Sequence, residues 1–202
     1  MTTISNTSDI SDEELLRGWK SRLGQLSVAE KVEQANLLKR QGNLYVKKGE
    51  PKRALASYAK VFAYVNGLSV AGDAMSQYAQ GAVGVTATKA EGDQIQDIKI
   101  AVWANMALCH LKLGEQPERA LSCCDKVLEL EPQHSKARFR KAQAMIQLTH
   151  YEIAYKLLGE LLEEEPKNAS VRSEIRALLV KKRAYDAEAK EKEKKAFGNM
   201  FK

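Results

Sequence analysis

Apolar positions along the chain recur at the spacing of amphipathic helices. In the first stretch of this kind, SDEELLRGWKSRL, a capping box from Ser11 to Glu14 marks the start of a helix. Its apolar residues at helical spacing are Leu15, Leu16, Trp19 and Leu23. We expect this short helix to dock on the elements that follow, with partner binding as the alternative. A second capping box, from Ser27 to Glu30, predicts the start of the next helix.

One apolar pattern occurs twice at an interval of 34 residues. The segments ALSCCDKVLELEP (120–132) and AYKLLGELLEEEP (154–166) both begin with Ala, carry Leu or Val at helical spacing and end at Pro. The earlier segment GNLYVKKGEPKRALASYAKV fits the same frame, with Gly42 predicted to allow close helix–helix packing. A fixed period of this length is typical of repeat architectures. The sequence therefore predicts one supersecondary unit used three times. The period resembles that of the tetratricopeptide repeat, which implies that each unit consists of two antiparallel helices, called A and B.

The segments around this array predict three regions, 1–26, 27–166 and 167–202. An insertion of about residues 66–93, rich in Gly, Ala and Ser, separates the first two repeats and indicates a linker. We expect the first B helix to continue past Val65, and Asp93 to cap the next helix. A last helix is predicted from about Asn168 to Met200. Its apolar positions Val171, Ile175, Leu178 and Leu179 are expected to cover the final repeat.

The end of that helix carries mixed charges followed by three apolar residues. Apolar residues at a polar tail often mark a contact, within the chain or with a partner. The tail residues in question are Phe197, Met200 and Phe201.

Composition narrows the class of protein. With 44% hydrophobic and 29% charged residues, few aromatics and four Pro, the chain is expected to be soluble, globular and all-α. The net charge of +6 favours an acidic partner, whereas the absence of an arginine-rich arm argues against nucleic acid. No apolar segment is long enough for a membrane span, and the acidic N-terminus is no secretory signal. Three Cys make no disulfide framework and three scattered His make no metal site, so we expect a cytoplasmic protein without cofactor.

The candidate chemistry lies on the A helices. Lys and Arg bind carboxylates by charge-assisted hydrogen bonds, and Asn can donate from its NH₂ group. A set of three cations and two amides therefore suits the free C-terminus of a peptide, with an acidic side chain beside it. The five residues are Lys39 and Asn43, four positions apart on the first A helix, Asn105 on the second, and Lys136 and Arg140, again four apart, on the third.

The 34-residue pattern of small residue, aromatic, Gly turn, Ala and Pro resembles the tetratricopeptide repeat, over roughly residues 30–166. The resemblance implies three helix-turn-helix repeats in a right-handed superhelical array, with the A helices on the concave face and a long C-terminal capping helix. The five polar residues match the carboxylate clamp of chaperone-binding repeat proteins. That motif reads Lys-x-x-x-Asn, Asn and Lys-x-x-x-Arg on successive A helices. It implies binding of the Glu-Glu-Val-Asp C-terminus of heat-shock protein 90 or 70 by a monomeric co-chaperone adaptor.

Two further stretches resemble the immunophilin co-chaperones, which are the large FK506-binding proteins and cyclophilins. These are NMALCHLKL, from Asn105, and KEKKAFGNMF, from Lys192. The tetratricopeptide repeat protein 9 family is also similar, since it has an insertion after the first repeat. Only about 27 residues precede the first repeat, which is too few for a folded isomerase domain.

Two alternatives accompany this interpretation. A scaffold could bind an unrelated partner through its groove, insertion or tail. An enzyme would need paired carboxylates, a nucleophile with its base or a phosphate loop, and the sequence offers none in a suitable setting. The residues leave the choice between heat-shock proteins 90 and 70 open, and they give Arg138 and Lys141, near the clamp positions, no firm role.

Overall fold

The computed structural model describes residues 10–70 and 86–200, with side chains described as far as residue 197. Within these ranges the chain forms eight helices and two short strands. In chain order they are α1 (Asp12–Arg17), α2 (Val28–Lys47), α3 (Pro51–Val65), β1 (Ser69–Val70), β2 (Thr86–Ala87), α4 (Lys89–Leu113), α5 (Pro117–Leu130), α6 (Ser135–Gln147), α7 (Tyr151–Glu164) and α8 (Ala169–Met200). The all-α fold predicted from the periodicity is confirmed.

Helices α2 to α7 form three hairpins. The A helices α2, α4 and α6 pack on the B helices α3, α5 and α7, respectively, and each B helix also packs on the next helix along the chain. Contacts between α2 and α4, and between α4 and α6, place the three A helices side by side. Helix α8 packs on α7 and α6, with Val171 and Leu178 buried and Ile175 partly buried, so it covers the last hairpin as predicted. Leu179, which was expected at the same contact, is 37% exposed.

Gly42 allows the first hairpin to close. A Cβ atom on Gly42 of α2 would overlap the ring of Tyr58 on α3, which is fully buried. Close packing of α2 on α3 therefore requires the glycine at this position, as the sequence predicted.

The N-terminal helix is shorter than its apolar pattern predicts. Helix α1 ends at Arg17 because Gly18 adopts φ 149°, which favours glycine, and the chain continues without helix to Ser27. Leu23, expected on the apolar face, is 88% exposed. The predicted docking is confirmed, since Leu15 is fully buried and its carbonyl accepts a 2.6 Å hydrogen bond from Gln41 Nε2 on α2.

The insertion also differs from the prediction. Helix α3 ends at Val65 and does not continue past it. Helix α4 begins at Lys89, where Thr88 and Glu91 form a capping box, so Asp93 lies inside the helix and does not cap it. Strands β1 and β2 pair in parallel and contact α4, which orders both ends of the predicted linker. The remainder of the insertion, 71–85, lies outside the described residues.

Residues 10–70 and 86–200 contain neither a membrane-spanning helix nor a cluster of metal-binding side chains. No helix there is both long and apolar enough to cross a bilayer. The same ranges contain no group of three or more His, Cys, Asp or Glu side chains arranged to hold a metal ion.

Candidate functional site

Two asparagine amides and a phenol connect the first three repeat helices. Asn43 Oδ1 on α2 accepts hydrogen bonds from Tyr58 Oη on α3, at 2.7 Å, and from Asn105 Nδ2 on α4, at 3.0 Å. Burial raises the pKa of Tyr58, so its hydroxyl stays protonated and remains a donor. The arrangement fixes the orientation of both amides.

Arg140 reaches from α6 to the same place. Its Nη1 atom donates a 2.7 Å hydrogen bond to the carbonyl oxygen of Ala104, the residue before Asn105. Burial lowers the pKa of Arg140, yet a guanidinium remains charged at any physiological pH. The backbone of α4 thus holds a half-buried cation beside the amide pair.

Lys39 and Lys136 supply charge one helical turn before Asn43 and Arg140. Lys39 is half-buried, and burial lowers its pKa, an effect partly opposed by Asp97 of α4. Lys136 is exposed in the first turn of α6. A partly desolvated ammonium group gains more from an anion than one in open water. Lys39 therefore favours an acidic ligand on this face.

The cations on and around α6 divide into two groups, those that pair with carboxylates and those that do not. Arg138 donates to Glu164 at 2.6 Å and lies 3.4 Å from Glu160, both on α7, and Lys141 pairs with Asp125 of α5 at 2.7 Å. Over residues 10–70 and 86–197, by contrast, no carboxylate forms an ion pair with Lys39, Lys136 or Arg140. Arg138 and Lys141 hold helices together, while the other three charges are available to a ligand.

The structure thus brings Asn43, Asn105 and Arg140 together around Tyr58 and places the two lysines on the same A helices. Tyr58 is the member that the sequence analysis missed as a functional residue. The predicted tail contact is described in part: Phe197 is 58% exposed, while the side chain of Met200 and all of Phe201 lie outside the described residues.

Nearby thiols show no sign of reactivity. Cys109 and Cys124 are buried and free, and burial raises their pKa to about 11 and about 12. Because the thiolate is the nucleophile, these residues act as small packing groups.

Comparison with known proteins agrees with this fold. A sequence profile of the tetratricopeptide repeat matches residues 113–179. Mouse peptidyl-prolyl cis-trans isomerase FKBP4 is 28% identical over 178 residues, which make up 88% of this chain and 34% of FKBP4. The chain therefore spans about a third of the length of the curated relatives that it matches.

Two solved structures share the architecture. The Hsp90 co-chaperone Cns1 from Saccharomyces cerevisiae superposes with a TM-score of 0.61 at 23% identity, over 85% of this chain and 46% of that one. The second repeat domain of human RPAP3 was solved with the HSP70 peptide SGPTIEEVD. It superposes with a TM-score of 0.52 at 22% identity, over 73% of this chain and 97% of that one. Residues 113–179 thus match the tetratricopeptide repeat profile, and the helical array shares its fold with these solved domains.

Proposed function

We propose that the chain is a non-catalytic adaptor that binds the acidic C-terminal peptide, ending Glu-Glu-Val-Asp, of heat-shock protein 90, heat-shock protein 70 or both. The binding residues are Lys39, Asn43, Asn105, Lys136 and Arg140. The observation that carries the proposal is the division of the cations. Lys39, Lys136 and Arg140 form no ion pair in the described part of the chain, where Asp97 affects the pKa of Lys39 without pairing with it, whereas neighbouring Arg138 and Lys141 are paired.

The chemistry of a C-terminal Asp fits this set. It presents two carboxylates, one on the main chain and one on the side chain, within a single residue. The fixed amides offer N–H donors, and the cations offer charge-assisted hydrogen bonds of about 1.5–3 kcal/mol each. Ordering an extended peptide offsets much of this. We expect an affinity on the order of micromolar, or about −8 kcal/mol.

Proteins of the same fold support the choice of partner. Cns1 is an Hsp90 co-chaperone, and the RPAP3 domain was solved with a peptide that ends in Glu-Glu-Val-Asp. The part of FKBP4 that the chain matches is only about a third of that isomerase, so isomerase activity is not transferred to this chain. Monomeric state and cytoplasmic location remain predictions.

A pair of lysine variants tests the site. Lys136→Ala removes an exposed cation of the proposed clamp. Lys156→Ala removes the same charge from an exposed position on α7, outside the face formed by the A helices. In calorimetric titration with an acetylated Met-Glu-Glu-Val-Asp peptide, we expect Lys136→Ala to weaken binding about 10-fold or more and Lys156→Ala to leave it unchanged. The two variants should melt at the temperature of the unmodified chain.

Equal affinity of both variants would contradict the clamp assignment. The alternative function, a scaffold for an unrelated partner, would then move the search to the insertion and to the tail that carries exposed Phe197.

A further inference from the structure

A second groove lies on the first hairpin and is lined by none of the clamp residues. Residues 16–23 run beside α2 and α3 and enclose a cavity of about 690 Å³ with them. Its large apolar and aromatic lining residues are Leu16, Trp19, Leu23, Leu38, Tyr45 and Tyr64. No residue of α4 or α6 lines this cavity, which we call the N-terminal groove.

The outer wall of the N-terminal groove is held in place. The amide of Arg22 donates to Gln34 Oε1 at 2.9 Å, and the hydroxyl of Tyr64 donates to the carbonyl of Arg22 at 2.7 Å. Leu15 and Leu26 are buried on either side of this anchor. The groove is therefore preformed, which reduces the ordering needed when a ligand binds.

One wall presents an apolar side chain that the fold leaves uncovered. Leu23 follows the anchored Arg22 and is 88% exposed, while nearby Trp19 is half-buried. Trp is enriched in binding hot spots, and the exposed Leu beside it adds apolar surface that a ligand can cover.

The charge of the N-terminal groove has a single sign. Its ionisable lining residues with formal charge at neutral pH are Arg17, Lys20, Arg53 and Lys60, and no carboxylate lines it. Arg17 and Arg53 pair with Glu13 and Glu50, which lie outside the lining. Lys20 and Lys60 form no ion pair within residues 10–70 and 86–197. This charge complements an anionic ligand.

The groove is elongated along α3. Its wall there runs from Arg53 to Tyr64, roughly 16 Å at the rise of an α-helix, and small residues Ala56, Ser57 and Ala63 line it. We propose that the N-terminal groove binds a short acidic peptide segment of a partner protein, with a large apolar side chain seated between Trp19 and Tyr64 and carboxylates facing Lys20 and Lys60. The site needs no free C-terminus and is independent of the clamp.

Trp19 provides a direct readout. The chain has two Trp, and Trp103, which stacks on Phe62, can be replaced by Phe to leave Trp19 as the single indole. The probe is the peptide acetyl-Asp-Glu-Leu-Phe-Asp-Glu-Leu-amide, whose blocked end excludes the clamp. We expect saturable binding with a blue shift of Trp19 emission. A peptide with Lys at every acidic position should give no shift.

Charge reversal locates the site. In the Trp103→Phe background, Lys20→Glu with Lys60→Glu should weaken binding of the acidic peptide at least about tenfold, because like charges then face each other. Lys156→Glu on α7, the matched control, and Lys136→Ala in the clamp should leave the affinity unchanged. All three variants replace exposed residues, so they should retain the fold.

Absence of a Trp19 shift with the acidic peptide, or equal binding of the lysine peptide, would overturn the proposal. A shift of Trp19 emission caused by phosphatidylserine vesicles without the acidic peptide would also overturn it, because the ligand would then be a membrane surface. A Met-Glu-Glu-Val-Asp titration on the same samples reports the clamp separately, so failure of one site is distinguishable from failure of the other.

Discussion

At the residue scale, Tyr58 joins the packing of the first hairpin to its proposed recognition site. Its ring fills the space that Gly42 leaves open, and its hydroxyl orients Asn43. Asn43 in turn orients Asn105 across the boundary between the first two repeats. The geometry of the amides therefore depends on how closely α2 and α3 approach each other.

Replacement of Gly42 and of Gly159 by Ala should change the free energy of unfolding in opposite directions. Gly42→Ala forces a Cβ atom into the Tyr58 ring, so we expect a loss of about 1–3 kcal/mol in the free energy of unfolding. Gly159→Ala, inside α7 with no neighbour near the added atom, should gain about 0.5–1 kcal/mol from helix propensity. Urea denaturation measures both. A neutral Gly42→Ala would show that the hairpin does not depend on this contact.

Lys39 predicts how peptide binding depends on pH. Burial lowers the pKa of the free lysine, and a bound carboxylate favours the charged form and raises the pKa again. Binding should then take up protons, and affinity should fall as pH rises through the lowered pKa towards the usual lysine value. Calorimetric titration between about pH 7 and pH 10 measures this.

The matched variant for this effect is Lys39→Arg, which keeps its charge throughout that range. It should bind the peptide with little dependence on pH. An identical pH profile for Lys39 and Arg at this position would exclude Lys39 as the titrating group.

Part of the candidate site could be predicted from the sequence and part could not. The pairs Lys39 with Asn43 and Lys136 with Arg140 follow from helical spacing alone. The role of Tyr58 depends on the rotation of α3 against α2, which spacing does not determine. The bond from Arg140 to Ala104 ends on a backbone carbonyl, so no side-chain type marks it.

At the element scale, helix α6 carries cations of two kinds. Arg138 and Lys141 pair with carboxylates of neighbouring helices, whereas Lys136 and Arg140 form no ion pair within the described residues. Arg138 is 9% exposed and binds two carboxylates of α7, so Arg138→Met should lower the free energy of unfolding by about 1.5–3 kcal/mol through the lost charged hydrogen bonds. Peptide affinity should remain unchanged. Arg183→Met, on an exposed turn of α8, is the control and should affect neither. Chemical denaturation with a parallel peptide titration checks both properties, and a loss of affinity in Arg138→Met alone would refute the division.

The N-terminal segment acts as part of the first repeat. Leu15→Ala removes a fully buried side chain and should cost about 2–5 kcal/mol, whereas Leu23→Ala, 88% exposed, should change stability by less than about 0.5 kcal/mol. Thermal or urea unfolding separates the two outcomes. Equal effects would mean that the segment does not dock as the structure describes.

Boundaries of elements were harder to predict than their existence. The pattern Leu15, Leu16, Trp19 and Leu23 is helical in spacing, yet Gly18 ends α1 and the later residues follow a non-helical path. The sequence analysis named Asp93 as the cap of α4, but Thr88 with Glu91 satisfies two backbone donors where Asp93 would satisfy one. Strands of two residues, as in the insertion, are too short to leave a periodic signal.

At the scale of the whole molecule, the array is closed at both ends. Residues 10–26 cover the first hairpin and α8 covers the last, as terminal units must in a stack whose inner repeats contact only neighbours. Contacts between α2 and α4 and between α4 and α6 place the three A helices side by side. The proposed binding of a single peptide terminus by residues from three repeats requires this arrangement.

Electrostatics on this scale predicts a response to salt. The proposed ligand is acidic and the chain carries a net charge of +6, so the affinity for the peptide should fall steadily between about 0.05 and 0.5 M NaCl. Titrations across that range measure the slope. Lys136→Ala should show a shallower slope than Lys156→Ala, and indistinguishable slopes would contradict a role for Lys136 in binding.

The central claim is that this face binds a free carboxylate terminus. The most direct measurement is calorimetric titration with acetylated Met-Glu-Glu-Val-Asp beside the same peptide amidated at its C-terminus. The account predicts binding on the order of micromolar for the free acid. It predicts a loss of at least about tenfold on amidation, since a charged hydrogen-bond acceptor is removed. Equal binding of the two peptides, or binding of neither, would contradict it.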